Sequence, residues 1–231
     1  MSEFQVPIRP AVRNLPRYRP GKAAPGAMKL SSNEMATPPS APILEAMRKA
    51  LENVNRYPDL MATPVREAIA KRFKVFPEQV CVGTGSSALL LAALSAVCSP
   101  GAKVVYPWRS FESYPIAIPA SHAEGVPVPL DEDGGHDVEG LVCAAQDATA
   151  LILCSPNNPT GPVLTFDTIR DIVERVPASV LVLVDEAYID FASDPRVSSA
   201  IPLIEEHPNV LVLRTFSKVH ALAGVRVGYA I

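Results

Sequence analysis

Lys218 and Arg226 stand eight residues apart, within Arg214-Thr215-Phe216-Ser217-Lys218 and Leu222-Ala223-Gly224-Val225-Arg226. An amine beside hydroxyls suits imine formation with a carbonyl, and a guanidinium is a forked donor for an anion. Thirty-three positions before the lysine, Asp185-Glu186-Ala187-Tyr188 puts an acid directly after five aliphatic residues and a phenol three places on. A carboxylate entering an apolar run needs a partner, because an unpaired buried charge is costly. Ser155-Pro156-Asn157-Asn158-Pro159-Thr160-Gly161 reads as a rigid turn that holds an asparagine amide. Gly83-Thr84-Gly85-Ser86-Ser87 lets backbone approach an anion and adds hydroxyls ahead of a helix N-terminus. It lacks the GxxxxGK[ST] spacing, so a nucleoside-triphosphate loop is not supported. Taken singly, each feature has a plainer reading: a solvated lysine, a structural ion pair or helix cap, an ordinary capped turn.

The elements that must position these groups alternate. Val80–Val82, Val104–Tyr106, Ala150–Cys154, Val180–Val184 and Val210–Leu213 are short runs without polar alternation, the pattern of strands covered on both faces. Between them lie helical patterns. Ser40 is expected to cap a helix near 41–53 with Ile43, Met47 and Leu51 on one face and Glu45 pairing with Lys49. Thr63 followed by Pro64 reads as a capped start, with Val65, Ile69 and Phe73 as the stripe. Residues 86–98 read as a buried helix, and 166–176 as a helix capped by Thr165 with Ile169, Ile172, Val173 and Val176 inward. Strand–helix alternation predicts an α/β fold with a mostly parallel sheet sandwiched by helices. In such sheets ligands bind beyond the carboxyl ends of the strands, where every feature of the preceding paragraph falls.

The chain has 231 residues, 48% hydrophobic and 19% charged, which excludes disorder as the dominant state. A net charge of −3 argues against nucleic-acid binding. The longest apolar stretch, Ala88–Cys98 broken only by Ser95, is well short of the roughly 20 residues a membrane span needs. No apolar signal segment opens the sequence, and Cys81, Cys98, Cys143 and Cys154 lack metal-ligand spacing. They are read as buried free thiols in a reducing, cytoplasmic setting, with no metal site. Residues 1–30 carry Arg9, Arg13, Arg17, Arg19, Lys22 and Lys29 against Glu3, and their prolines forbid a continuous helix. They are expected to form an extended arm on this subunit or a partner, or a solvated tail, ahead of one domain over 31–231.

Gathered at one sheet edge, an anion cradle, a carboxylate, a phenol, an amide, an amine and a guanidinium suit a pyridine ring that bears a phosphate and an aldehyde. The carboxylate would keep the ring nitrogen protonated, and the lysine would carry the aldehyde as an imine and shuttle a proton. The ordered series Asn33-Glu34, Asn55-Arg56-Tyr57-Pro58, Gly83–Ser87, Asn157–Gly161, Asp185–Tyr188 and Thr215-Phe216-Ser217-Lys218 through Arg226-Val227-Gly228-Tyr229 resembles the fold-type I pyridoxal-phosphate aminotransferases. Within them it is most similar to the histidinol-phosphate and aromatic amino acid branch. Tyr106-Pro107-Trp108-Arg109-Ser110-Phe111 resembles the aromatic amino acid members more closely.

The resemblance implies a role for each matching position. Lys218 attaches pyridoxal 5′-phosphate and moves the proton; Asp185 pairs with the ring nitrogen. Tyr188 and Asn158 bond the ring oxygen, and Phe111 stacks on the ring. Gly85, Ser86, Ser87, Thr215, Ser217 and Arg226 bind the phosphate, the arginine as a forked donor. Tyr57 reaches the neighbouring subunit's site, which implies a homodimer, and Asn33 lies on the substrate side. The implied reaction is transamination between an aromatic amino acid and a 2-oxo acid such as 2-oxoglutarate. The alternatives are histidinol phosphate as donor, a decarboxylase or lyase on the same scaffold, and a non-catalytic cofactor-sensing domain.

Three features depart from the family pattern, one being that Met35-Ala36-Thr37 after Glu34 lacks the more usual aromatic residue and glycine. Val219-His220-Ala221 follows the lysine where a tyrosine and then a glycine are usual, leaving His220 either packed or on the substrate side, with packing favoured. Members also continue for more than a hundred residues. The chain is therefore expected to hold the large domain, incomplete at its C-terminus, with the small domain and the substrate-gripping arginine largely missing.

Overall fold

A computed structural model describes residues 6–15, 25–27 and 31–231. Seven strands form one sheet in the order β1-β7-β6-β5-β4-β2-β3. These are β1 (Cys81–Gly83), β2 (Lys103–Trp108), β3 (Glu124–Pro129), β4 (Ala150–Cys154), β5 (Leu181–Asp185), β6 (Val210–Thr215) and β7 (Gly228–Ala230). Strands β2 to β6 run parallel; β7 is antiparallel to both neighbours. The expected α/β sandwich is present. Sequence patterns missed β3 and β7. The first carries Pro127 and Pro129, tolerated because it is an edge strand with one unpaired side. The second is three residues long, too short to show a period.

The helices are α1 (Pro10–Arg13), α2 (Ala41–Leu51), α3 (Thr63–Phe73), α4 (Ser86–Val97), α5 (Tyr114–Ala120), α6 (Val138–Ala145) and α7 (Phe166–Arg175). Strand residues alternate between the two faces. In β4, Leu151 and Leu153 join the core under α3, α6 and α7, where Ile69, Leu141, Ile169, Ile172 and Val173 lie. Ala150, Ile152 and Cys154 join the opposite core under α4 and α5, with Leu89, Leu90, Leu94, Tyr114 and Ile118. Both faces are covered, which is why the strands read as unbroken apolar runs. Each fully buried Leu or Ile contributes about 1.5–3 kcal/mol.

Several local expectations are corrected. Ser40 precedes α2 but makes no side-chain cap bond, and Glu45 pairs with Arg48 at 3.3 Å rather than with Lys49. No residue of α2 is buried; Leu51 is 64% exposed. Thr63 is the first residue of α3 rather than its cap; the Asp59 carboxylate instead accepts from the N–H groups of Met61 (2.9 Å) and Thr63 (2.8 Å). Helix α4 is not buried all round, since Leu91 and Val97 are exposed. All four cysteines are free, but only Cys154 is buried; Cys81 and Cys143 are exposed and Cys98 is half-buried. Thr165 caps α7 as expected, its hydroxyl accepting from Thr168 N at 3.1 Å.

Most of the arm lies outside the described residues. Within it, Pro10–Arg13 form one helical turn, and Arg9 donates to the carbonyls of Pro119 (3.4 Å) and Ala120 (2.9 Å) at the end of α5. Among the described residues no helix is long and apolar enough to cross a membrane.

Candidate functional site

Strand parity decides which side chains reach the cavity. Cys154 and Asp185 are register partners at the ends of β4 and β5, on the face covered by α4 and α5. Glu186, one residue on, falls on the other face and forms a buried ion pair with Arg214, Nε to Oε2 2.9 Å. Of two adjacent acids, one is thus consumed by structure and the other faces a hollow of about 250 Å³ beyond the strand ends.

One end of that hollow is built for an anion. Helix α4 begins at Ser86 with no side-chain cap, so its first N–H groups remain available. Gly85 precedes it at φ +93°, and a Cβ there would lie 2.5 Å from Arg226 Nη2. Only glycine lets the turn and the guanidinium approach each other. Beneath the turn, a Cβ on Gly228 of β7 would lie 2.5 Å from Ser86 N. Arg226 Nη1 donates to Ser217 Oγ at 3.1 Å, and Thr215 and Ser217 exchange a hydroxyl bond of 2.9 Å. Ser86, Ser87, Thr215, Ser217 and Arg226 all line the hollow. Hydroxyls, a guanidinium and a helix N-terminus line this hollow together, a donor set that suits an anion.

The same hollow also holds an acid. Asp185 is buried; Oδ2 accepts from Tyr114 Oη at 3.0 Å and Oδ1 from Ala187 N at 3.1 Å. Burial pushes its pKa above the ordinary carboxylate value, while Tyr114, Ala187 and the Lys218 charge pull it down. Neighbouring Cys154 is pushed up to about 12, chiefly by burial, and stays a neutral thiol.

Lys218 lines the hollow as well. Its Nζ donates to the Ser32 carbonyl at 2.9 Å and lies 5.2 Å from the centre of the Tyr188 ring. Asn33 Nδ2 donates to Tyr188 Oη at 3.1 Å and to Asn158 Oδ1 at 3.4 Å, leaving Asn158 Nδ2 as that amide's donor. Phe111 closes one wall. A second hollow of about 590 Å³ shares Phe111, Asn158, Tyr188 and Lys218 and adds Arg109, whose guanidinium stacks 4.6 Å from the Trp108 ring.

Ten of the expected positions therefore line one hollow: Ser86, Ser87, Phe111, Asn158, Asp185, Tyr188, Thr215, Ser217, Lys218 and Arg226. Gly85 and Asn33 adjoin it. Tyr57 does not; it is 97% exposed. His220 is exposed and leans on Phe216, ring centres 5.2 Å apart, away from the hollow. Sequence reasoning missed Tyr114 and Asn157. The buried Asn157 amide ties the loop down, accepting from Ser110 Oγ at 2.6 Å and donating to Thr160 Oγ1 at 2.7 Å and the Arg109 carbonyl at 3.1 Å. Its position in the doubled Asn157-Asn158 was the available signal. Tyr114 had none, because its partner lies 71 residues away.

A doubly covered parallel sheet with an amine, an acid and an anion cradle at its carboxyl edge defines a ligand-binding α/β protein of the doubly wound kind. The chain belongs to the class I and II aminotransferase family, whose sequence profile matches residues 25–231. It is 47% identical over 227 residues to an aromatic amino acid aminotransferase of Corynebacterium efficiens, covering 96% of this chain and 66% of that protein. A second, from Rhodococcus erythropolis, is 44% identical over 225 residues, with 97% and 62% covered. The chain thus spans just under two thirds of the length of these relatives. Among solved structures it resembles a histidinol-phosphate aminotransferase from Sinorhizobium meliloti in complex with pyridoxal-5′-phosphate. The TM-score is 0.88 at 28% identity, covering all of this chain and 64% of the other.

Proposed function

We propose that the hollow binds pyridoxal 5′-phosphate and that the whole protein transfers an amino group between an aromatic amino acid and a 2-oxo acid. The observation that carries this is that Lys218, Asp185 and the Arg226 cradle line one cavity. The donor set fits the group: cationic and hydroxyl donors for a phosphate, a buried acid for a ring nitrogen, an aromatic wall and an amine. When bound, the cofactor supplies an aldehyde for amines and a ring that withdraws electrons.

The chain's residues do the rest. Arg226, Ser217, Thr215, Ser86 and Ser87 hold the phosphate, aided by the open turn at Gly85. Asp185 would accept from the ring N–H and keep that nitrogen protonated. Tyr188 Oη and Asn158 Nδ2 would donate to the ring oxygen, and Phe111 would cover the ring. Lys218 would hold the cofactor through its Nζ and, as a free amine, would accept and return a proton beside it. Asn33 closes the substrate side.

Residues 31–231 form the cofactor-binding domain in this reading, with 1–30 as its arm. Tyr57, exposed on this chain, would serve the site of a second subunit in a homodimer. Four free cysteines suit a cytoplasmic location. The aromatic donor rests on relatives of 43–47% identity; histidinol phosphate is the second reading, favoured by the likeness to the Sinorhizobium structure.

Borohydride reduction of the cofactor-loaded chain, followed by peptide mass analysis, should place the label on Lys218. A label on any other residue would overturn the assignment. In the full-length protein, turnover of phenylalanine or tyrosine should require 2-oxoglutarate; product formed without an oxo acid would instead mark a decarboxylase or lyase.

A further inference from the structure

We propose that Tyr114 is the positioning residue of the site's acid: its hydroxyl holds the Asp185 carboxylate ionised and aimed, while its ring seats Phe111. Tyr114 is fully buried at the start of α5, in the core beneath α4 and α5. A phenylalanine would fill that core equally well. A buried hydroxyl needs a hydrogen-bond partner, and the partner this one finds is Asp185 Oδ2 at 3.0 Å.

The hydrogen bonds of Asp185 show what the contact does. Oδ1 accepts from Ala187 N, Oδ2 from Tyr114, and the group still lines the cavity. Two donors fix the carboxylate plane and leave lone pairs for a ligand donor. The titratable groups around it are Tyr114 from α5, Cys154 from β4 and Lys218 beyond β6. The thiol is neutral at ordinary pH, and burial beside a carboxylate raises the Tyr114 phenol well above its usual value. Tyr114 therefore remains a neutral donor across the working range, and the direction of its bond does not change with pH. The same ring meets Phe111 edge-on, centres 5.7 Å apart at 88°, and its backbone N–H closes a turn on the Phe111 carbonyl at 3.0 Å. One side chain thus registers the acid against the aromatic wall.

Only the last step, that the acid meets a cofactor ring, rests on the proposed function, so the test has two arms. In the ligand-free chain, carboxyl-carbon NMR, assigned with Asp185→Asn, should show the Asp185 midpoint moving to higher pH in Tyr114→Phe. An unchanged midpoint would overturn the proposal. In the second arm, pyridoxal phosphate should bind Tyr114→Phe about tenfold or more weakly, as loss of one charge-assisted bond implies. The pH profile of the bound cofactor's absorbance should also move, which a loss of packing alone would not produce. If the titration moves but wild type fails to bind the cofactor, the cofactor reading falls and the support of the acid stands. If wild type binds and the variant matches it in both arms, the positioning role falls alone. Should Tyr114→Phe not fold, the wild-type Tyr114 ring-carbon shift should follow the Asp185 midpoint; a flat response would overturn the proposal.

Discussion

Acidification should weaken this chain through His136, a residue beside the site rather than in it. His136 is 6% exposed, and its Nε2 accepts from Cys154 N at 3.3 Å, at the strand end that leads into the Asn158 loop. A protonated imidazole cannot accept that bond. Burial lowers the pKa from 6.5 to about 4, with the Asp131 charge opposing. Between those values the unfolded chain binds the proton and the folded chain does not, so stability rises with pH and is lost as pH falls. The linkage amounts to about 1.4 kcal/mol at about pH 5.5 and about 2.5 kcal/mol at about pH 4.5, relative to about pH 8. Asp185 and Glu186 oppose it, because burial raises both and each regains stability on protonation in the fold. The clean quantity is therefore the difference between wild type and His136→Gln, whose amide oxygen can still accept from Cys154. Urea unfolding across this range should show the variant less stable near neutrality or equal to wild type, then gaining on it by about 2.5 kcal/mol toward pH 4.5. A difference curve flat from neutrality to that point would refute the reasoning.

Two further substitutions test the frame that holds the site. Gly228→Ala should cost at least about 2 kcal/mol in urea unfolding and weaken pyridoxal phosphate binding, because the new Cβ would meet the Ser86 backbone at 2.5 Å. Glu186→Ala should cost about 3–5 kcal/mol by the same assay, since it strands the buried Arg214 guanidinium and frees Ser199 Oγ and Ala200 N.

The strands β4, β5 and β6 were legible because a doubly covered strand must be apolar throughout, and each ended within two residues of its pattern. Helix α7 was legible because Thr165 and the Ile169, Ile172 and Val173 spacing are local signals. The cap of α3 was not, because Asp59 acts from four residues upstream of the helix start, through both Met61 and Thr63. The burial of α4 was overestimated for a related reason: an all-apolar helix does not declare which side meets the sheet.

What the amino-acid order settled by itself was the inventory and its address: Lys218, Arg226, Asp185, Asn158 and the Gly83–Ser87 turn each follow a strand pattern, where parallel sheets keep their ligands. What it left undecided was which neighbour does which task. Asp185 and Glu186 are equally acidic and adjacent, and alternation sends them to opposite faces without saying which face holds the cavity. That depended on where α4 and α5 docked, and their docking brought Tyr114 to Asp185 across 71 residues of sequence. Contacts between residues so far apart leave no periodicity, so only the packed chain assigns them.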